Sequence, residues 1–356
     1  MNSRYIKREI MPVHECRCTF IPPFILEHMA REGIEEARLT IQQSKISREN
    51  RDKRPEELMN KLAGVISVGR AYRQVYDSQN TYDLQKKLER SEGDPAIPDQ
   101  VVNNVYDYVG NVHDYYKQKL GRNSIDNNGM DFIINVHFGK KYNNAFWDGE
   151  QMTFGDGDGK IFVNFTKSLD VIAHEITHGV TQYEANFVYK GQSGALHEHF
   201  SDVFGSAITQ YVNKQKAEEA DWLVGDEIMG PELYGEALRS MKEPGTAYDN
   251  PILGKDPQPA HMKDYYTGSG DNYGVHINSG IPNKAFYLAA MDIGTDKAAR
   301  IWYNALCGPR LFQTANFNDA FKAIVEAARI LVKDNKVPLG STQKVRAAFK
   351  AVGLPN

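Results

Sequence analysis

The residues best placed to do chemistry are His174, Glu175 and His178, which read H-E-x-x-H within Val171-Ile172-Ala173-His174-Glu175-Ile176-Thr177-His178. On a helix, two histidines four apart stand one above the other on one face, so both rings reach one metal ion. Zinc suits neutral imidazoles, and a hydrolytic zinc site uses three protein ligands plus an open position. Glu175, next to the first histidine, can take a proton from a water at that position. The motif is short enough to recur by chance, and the plain alternative is a helix with two satisfied histidines and a solvated glutamate. Apolar neighbours (Val171, Ile172, Ile176, Val180) place the triplet in a buried helix, where it needs partners.

A third ligand is available. Glu198 follows His178 by twenty residues, in a segment whose apolar stripe (Leu196, Phe200, Val203, Phe204) also reads as a helix. Glu198 and Asp202 share a face of it, so one can bind the metal while the other orients a ligand imidazole.

The elements that must position these groups follow from the rest of the chain. At 356 residues the chain is long for one core, and 41% hydrophobic and 25% charged residues are ordinary for a water-soluble fold. A net charge of −4 offers no basic surplus for nucleic acid or an anionic membrane. No apolar run is long enough to span a bilayer, and residues 1–18 lack the apolar core of a secretory signal. Export by a route without a signal peptide is expected, with a cytoplasmic enzyme as the alternative. Three cysteines (Cys16, Cys18, Cys307) are too few for a disulfide framework.

Residues 1–50 form a separate module, with an apolar Phe20-Ile21-Pro22-Pro23-Phe24 segment and a helical pattern from Ile25 to Gln43 broken near Gly33. Lys45 to Glu57, dense in both charge signs, reads as an exposed linker. Strand-like segments follow at Val65–Val68, Ala71–Tyr76, Phe132–Phe138 and Ile161–Phe165, with a helix over 98–120 and a Gly/Asp-rich hairpin turn over Gly155–Gly159. After Leu196 the pattern is helical: Ile281–Met291, Thr295–Leu306, Asn316–Val332 and Thr342–Val352.

These motifs, in this order, resemble the thermolysin-like zinc metallopeptidases, and more narrowly protealysin-like precursors. The resemblance runs from about Tyr72 to the C-terminus. It is carried by Asn143-Asn144-Ala145-Phe146-Trp147, Gly155-Asp156-Gly157-Asp158-Gly159, H-E-x-x-H, Gly194-Ala195-Leu196-x-Glu198-x-x-Ser201-Asp202, Ala237-Leu238-Arg239-Ser240-Met241, and Asp271 to Gly280. It implies an α+β, two-domain architecture, with a β-rich half and a helical half on either side of a cleft floored by zinc. The expected layout is a propeptide over 1–50, a processing linker over 51–64, a β-rich domain with the zinc helix over 65–191, and a helical domain over 192–356.

The resemblance further implies zinc on His174, His178 and Glu198, with Glu175 as general base. It implies Asp170 and Asp202 as carboxylates fixing the two imidazoles. His276, backed by Asp271, and Tyr189 would steady the oxyanion, while Asn144, Ala145 and Arg239 would hold the substrate backbone. Phe162, Phe165, Val171 and Leu238 would line the pocket for the residue after the scissile bond, favouring large apolar side chains. Peptides and the chain's own propeptide are the expected partners of a monomeric enzyme, with Pro22, Pro23 and Phe24 as the inhibitory element and activation by cutting between about Lys45 and Gly64.

Two departures from the family pattern stand out. His197 replaces the usual asparagine before Glu198 and is expected to bond His178 in its stead. At the paired calcium site Asp170, Asp221 and Asp226 match, but Thr209 and Leu223 stand where glutamates would be, which leaves at most one weak calcium ion. Cys16 or Cys18 on the zinc is chemically sound but has no supporting motif. Other readings are a catalytically silent zinc-stabilised binding protein, which the intact Glu175 argues against, and an exopeptidase of the same zinc class.

Overall fold

The computed structural model describes residues 18–52 and 71–355. Val65–Val68, Cys16 and most of the stretch Lys45–Gly64 lie outside them. The chain enters through two helices, α1 (Pro23–Arg31) and α2 (Glu35–Asp52). Pro23 opens α1 because its missing N–H is one the first turn leaves unpaired anyway. Ile25, Leu26 and Met29 turn its buried face into the main core. Helix α2 runs to Asp52, into the start of the stretch expected to be linker, since alternating charge on strong helix formers does not itself break a helix.

A sheet of five strands follows, in the order β2 (Lys87–Ser91), β1 (Arg73–Asp77), β3 (Phe132–Val136), β5 (Met152–Phe154), β4 (Ala145–Trp147). β1, β3 and β5 are parallel, and the edge pairs β1–β2 and β4–β5 are antiparallel. Helix α3 (Gln100–Leu120) packs on this sheet through Val102, Val105, Val109, Val112 and Tyr116. It is capped by Asp99 at its start and by Gly121, in the left-handed region, at its end.

Two expected features take another form. Ile161–Phe165 is not a strand: Phe162 makes one isolated bridge to Met229, and a 3-10 turn occupies Phe165–Lys167. The stretch Gly155–Gly159 is a loop rather than a hairpin turn, because Asp158 draws the N–H groups of Lys160 and Ile161 onto its own carboxylate.

Two buried helices then pack face to face, α4 (Leu169–Glu184) and α5 (Gly191–Val212), carrying H-E-x-x-H and Glu198 respectively. Beyond them lie the short pairs β6 (Leu223–Val224) with β7 (Arg239–Ser240) and β8 (Asp249–Asn250) with β9 (Gly254–Lys255). The remainder is helical: α6 (Gly270–Asn278), α7 (Gly280–Ile293), α8 (Thr295–Leu306), α9 (Phe317–Lys333) and α10 (Ser341–Ala351). Among the described residues no helix is long and apolar enough to cross a membrane.

Candidate metal centre

His174 and His178 project from α4 and Glu198 from the facing α5, with their ligand atoms within 4.8 Å of one another and all three residues fully buried. Each imidazole is oriented through Nδ1. Asp202 bonds His174 Nδ1 at 2.9 Å, while His178 Nδ1 lies 2.8 Å from His197 Nδ1 and 3.1 Å from Ser201 Oγ. This leaves His174 Nε2, His178 Nε2 and Glu198 Oε2 buried without hydrogen-bond partners among the described residues, a costly arrangement unless a cation occupies the space between them. Two imidazoles and a carboxylate are a donor set suited to zinc, so the residues present fit that metal.

The Glu175 carboxylate is likewise fully buried beside this group, without a side-chain partner among the described residues. Burial raises the Glu175 pKa to about 7, with Glu198 adding to the effect and His174 opposing it. A carboxylate in that range can accept and return a proton near neutrality. Against the cost of burial, Arg239 and His174 hold Asp202 at about 2, and Arg239 engages it through two donors at 2.9 Å each. Asn283 and His199 extend the network: Asn283 donates to Asp202 at 2.9 Å, and its oxygen lies 2.7 Å from His199 Nδ1.

Asp170 stands elsewhere than expected. Asp202, on the facing helix, already bonds His174 Nδ1, and other donors take up the Asp170 carboxylate. Asp170 accepts from Ser168 Oγ and from the Gly225 N–H at 2.7 Å, and neither zinc-site imidazole is bonded to it. There it meets Asp226, whose pKa burial raises to about 6 with Asp170 and Asp221 adding to the effect. Glu227 belongs to the same acidic group, which sequence reasoning did not include.

On the opposite side, Asp271 to Gly274 form a left-handed turn, with φ between 48° and 80°, which the surrounding contacts must enforce for three non-glycine residues. The turn lets Asp271 accept the His276 N–H at 2.7 Å while bonding His276 Nδ1 at 2.6 Å. Burial opposes a charge on His276, but Asp271 and Glu198 prevail and raise its pKa. Tyr189 donates to Glu198, and its hydroxyl lies 3.2 Å from His276 Nε2.

Thr19 to Ile21 thread between these groups. His276 Nε2 lies 3.1 Å from the Thr19 carbonyl oxygen, the Phe20 N–H donates to the Ala145 carbonyl at 3.0 Å, and Arg239 reaches the Phe20 carbonyl at 3.4 Å. Asn144 accepts from the Ile21 N–H at 2.8 Å. The Phe20 ring is fully buried, edge-on to His174 with centroids 5.1 Å apart. Gly225, at φ +75°, is needed here: a Cβ would come within 3.0 Å of both Phe20 and Leu238. Phe162, Phe165 and Val171 are fully buried in the same core as Phe20. The engaged element is therefore Thr19–Ile21 rather than Pro22-Pro23-Phe24. Prolines have no N–H to offer, and here they start α1, leaving Phe24 partly buried against the core. The signal missed was the extended, donor-bearing stretch before the prolines. Cys18 is buried beside His178 and His197 and lies outside the His174–His178–Glu198 group.

Comparison with known proteins decides the family. The thermolysin metallopeptidase catalytic-domain model matches residues 39–182, and its alpha-helical-domain model matches residues 185–354. The chain belongs to the thermolysin family of metallopeptidases. Members of this family are zinc-dependent, and this thermolysin-family chain is a metalloendopeptidase with the two-domain thermolysin-like fold. It is 47% identical over 307 residues to an extracellular metalloprotease of Pectobacterium carotovorum, covering 84% of this chain and 87% of the relative. It is 40% identical over 292 residues to a thermolysin of Alicyclobacillus acidocaldarius, covering 78% of this chain and 50% of the relative. Among solved structures, the precursor of protealysin, a metalloproteinase from Serratia proteamaculans, superimposes with a TM-score of 0.83 at 41% identity, over 95% of this chain and 99% of that one.

Proposed function

We propose that the chain is a latent zinc endopeptidase that cuts on the N-terminal side of large apolar residues and is activated by loss of its N-terminal segment. The observation that carries this reading is the threading of Thr19–Ile21 past His276, Ala145, Arg239 and Asn144, directly beside the three unsatisfied ligand atoms. Zinc held by His174, His178 and Glu198 would polarise the substrate carbonyl and acidify a bound water. Glu175 accepts the proton of the attacking water and returns it to the departing nitrogen. His276, fixed by Asp271, and Tyr189 donate to the oxygen on which negative charge develops. Asn144, Ala145 and Arg239 align the substrate backbone. The pocket of Leu238, Phe162, Phe165 and Val171 receives the side chain after the scissile bond, and Phe20 fills it in the precursor.

Cutting within the expected Lys45–Gly64 stretch, after α2 ends at Asp52, would free α1 and α2 to leave. A single calcium ion could occupy the Asp170, Asp221 and Asp226 group, whose mutual repulsion a cation would relieve. The enzyme is a monomer that acts outside the cell on peptides and proteins. The test is hydrolysis of a peptide blocked at both ends by enzyme trimmed at an inserted protease site. One zinc per chain, loss of activity on chelation and recovery with zinc are expected. Turnover only with a free terminal amine would favour an exopeptidase.

A further inference from the structure

The direction of the threaded segment carries more than occlusion. From Thr19 to Ile21 the backbone meets in turn the His276 imidazole, the Ala145 carbonyl, the Arg239 guanidinium and the Asn144 amide. Under the reading above, His276 faces the carbonyl under attack, and the Leu238 pocket takes the side chain that follows it. Here the carbonyl beside His276 is that of Thr19, and the side chain packed on Gly225 beside Leu238 is that of Phe20. The bond lying in the place of a scissile bond is thus Thr19–Phe20, in the orientation of a substrate rather than reversed.

We infer that Thr19–Phe20 is a self-cleavage site, hydrolysed by the folded precursor in its own cleft to give a nicked chain that stays latent. The inference rests on the peptidase reading. One water is consumed: the bond between the Thr19 carbonyl carbon and the Phe20 nitrogen breaks, the water oxygen joins that carbon as a carboxylate, and both water protons go to the nitrogen, which becomes the ammonium terminus of Phe20.

The part after the cut is anchored independently of the part before it. Phe20, Ile21, Ile25, Leu26 and Met29 are all buried in the core. Helix α2 adds ties to the catalytic half, among them Thr40 Oγ1 accepting the Asn143 N–H at 3.0 Å, Ser44 Oγ pairing with Tyr142 OH at 2.8 Å and Lys141 reaching Glu36 at 3.1 Å. A product held this way keeps the new amine beside the Thr19 carboxylate, which His276 contacts, and this favours resealing over release and makes the nick slow. Leaving the cleft then requires the second cut, after α2.

The test uses the full chain loaded with zinc and followed by mass spectrometry over days. A fragment beginning at Phe20 should accumulate at a rate independent of protein concentration, and none should form in Glu175→Gln. The nicked chain should stay at least tenfold less active than trimmed enzyme on an external peptide. A readout independent of turnover is amide hydrogen exchange on the chelated full chain, where the Phe20 and Ile21 N–H groups should be protected at least tenfold over a free peptide. As a separating control, trimmed enzyme is given a synthetic peptide containing Cys-Thr-Phe-Ile. If it cuts that peptide between Thr and Phe while the full chain stays intact there, the self-cleavage inference is overturned and the peptidase reading stands. If trimmed enzyme cuts no blocked peptide at all, the peptidase reading itself fails. Unprotected Phe20 and Ile21 amides would overturn the substrate register.

Discussion

The side-chain amide of Asn144 pairs with both backbone groups of Ile21, accepting from its N–H at 2.8 Å and donating to its carbonyl at 3.2 Å. A two-point clasp of this kind recognises extended backbone whatever its side chains, so the same amide can serve an incoming substrate only once Ile21 has left. Phe20 holds the neighbouring position by filling an apolar pocket. Phe20→Asp should therefore raise the activity of the uncut chain, because an ionised carboxylate is not accommodated there. About tenfold or more is expected, with α1 and α2 still tethering the segment. Unchanged hydrolysis of an external peptide by the uncut variant would show that Phe20 does not maintain latency.

Glu175 supplies no ligand atom to the group of His174, His178 and Glu198. Glu175→Gln should keep zinc and lose about three or more orders of magnitude in turnover, as general-base removal in a buried site does. His178→Ala should instead lose zinc and, with it, the stability that metal binding confers. Metal content and thermal unfolding, measured side by side, separate the two.

His276 is held by two bonds to Asp271 and lies within reach of a carbonyl oxygen through Nε2. His276→Ala should lower kcat by about a hundredfold or more in trimmed enzyme, with KM changing far less, since the contact strengthens as the carbonyl oxygen gains charge. A change confined to KM would reassign His276 to substrate binding.

His137 bridges Asp156, at 2.9 Å from Nδ1, and Asp99, at 2.9 Å from Nε2, tying the cap of α3 to the loop after β5. The Asp156 bond, opposed by burial and helped by Asp99, pushes its pKa up to about 9. A histidine whose folded value is raised stabilises the fold fully below its unfolded value of about 6.5 and loses that contribution as pH rises through 9. Because the group is partly solvated, about 1–2 kcal/mol is expected. Denaturant unfolding at pH 6 and pH 9.5, in a Glu175→Gln background to prevent self-digestion, should show the loss, and His137→Gln should flatten it.

Much of this molecule was legible in the sequence because period and chemistry coincide there. The expected helix over Thr295–Leu306 has those bounds, and H-E-x-x-H lies on a buried helix that faces Glu198. The sheet is smaller than strand-like residues suggested, since Ile161–Phe165 spends its backbone on loop contacts such as Val163 N–H to the Ile228 carbonyl. Asp170 illustrates a limit of spacing arguments: four residues put it on the face of His174, while bonds from Ser168 and the Gly225 N–H hold its carboxylate and Asp202 takes the ring nitrogen. The prolines drew attention from Thr19–Ile21 because rigidity is visible in sequence, whereas the pairing of an ordinary N–H with a distant carbonyl is not.

The most direct measurement is the rate at which one preparation hydrolyses an internally quenched peptide before and after cleavage at a protease site inserted between Lys45 and Gly64. The account predicts a low rate in the uncut chain, a rise of about two orders of magnitude or more on trimming, and complete loss of the gained activity on removal of zinc. Equal rates before and after trimming would contradict it, leaving Thr19–Ile21 as a folding aid rather than an inhibitor.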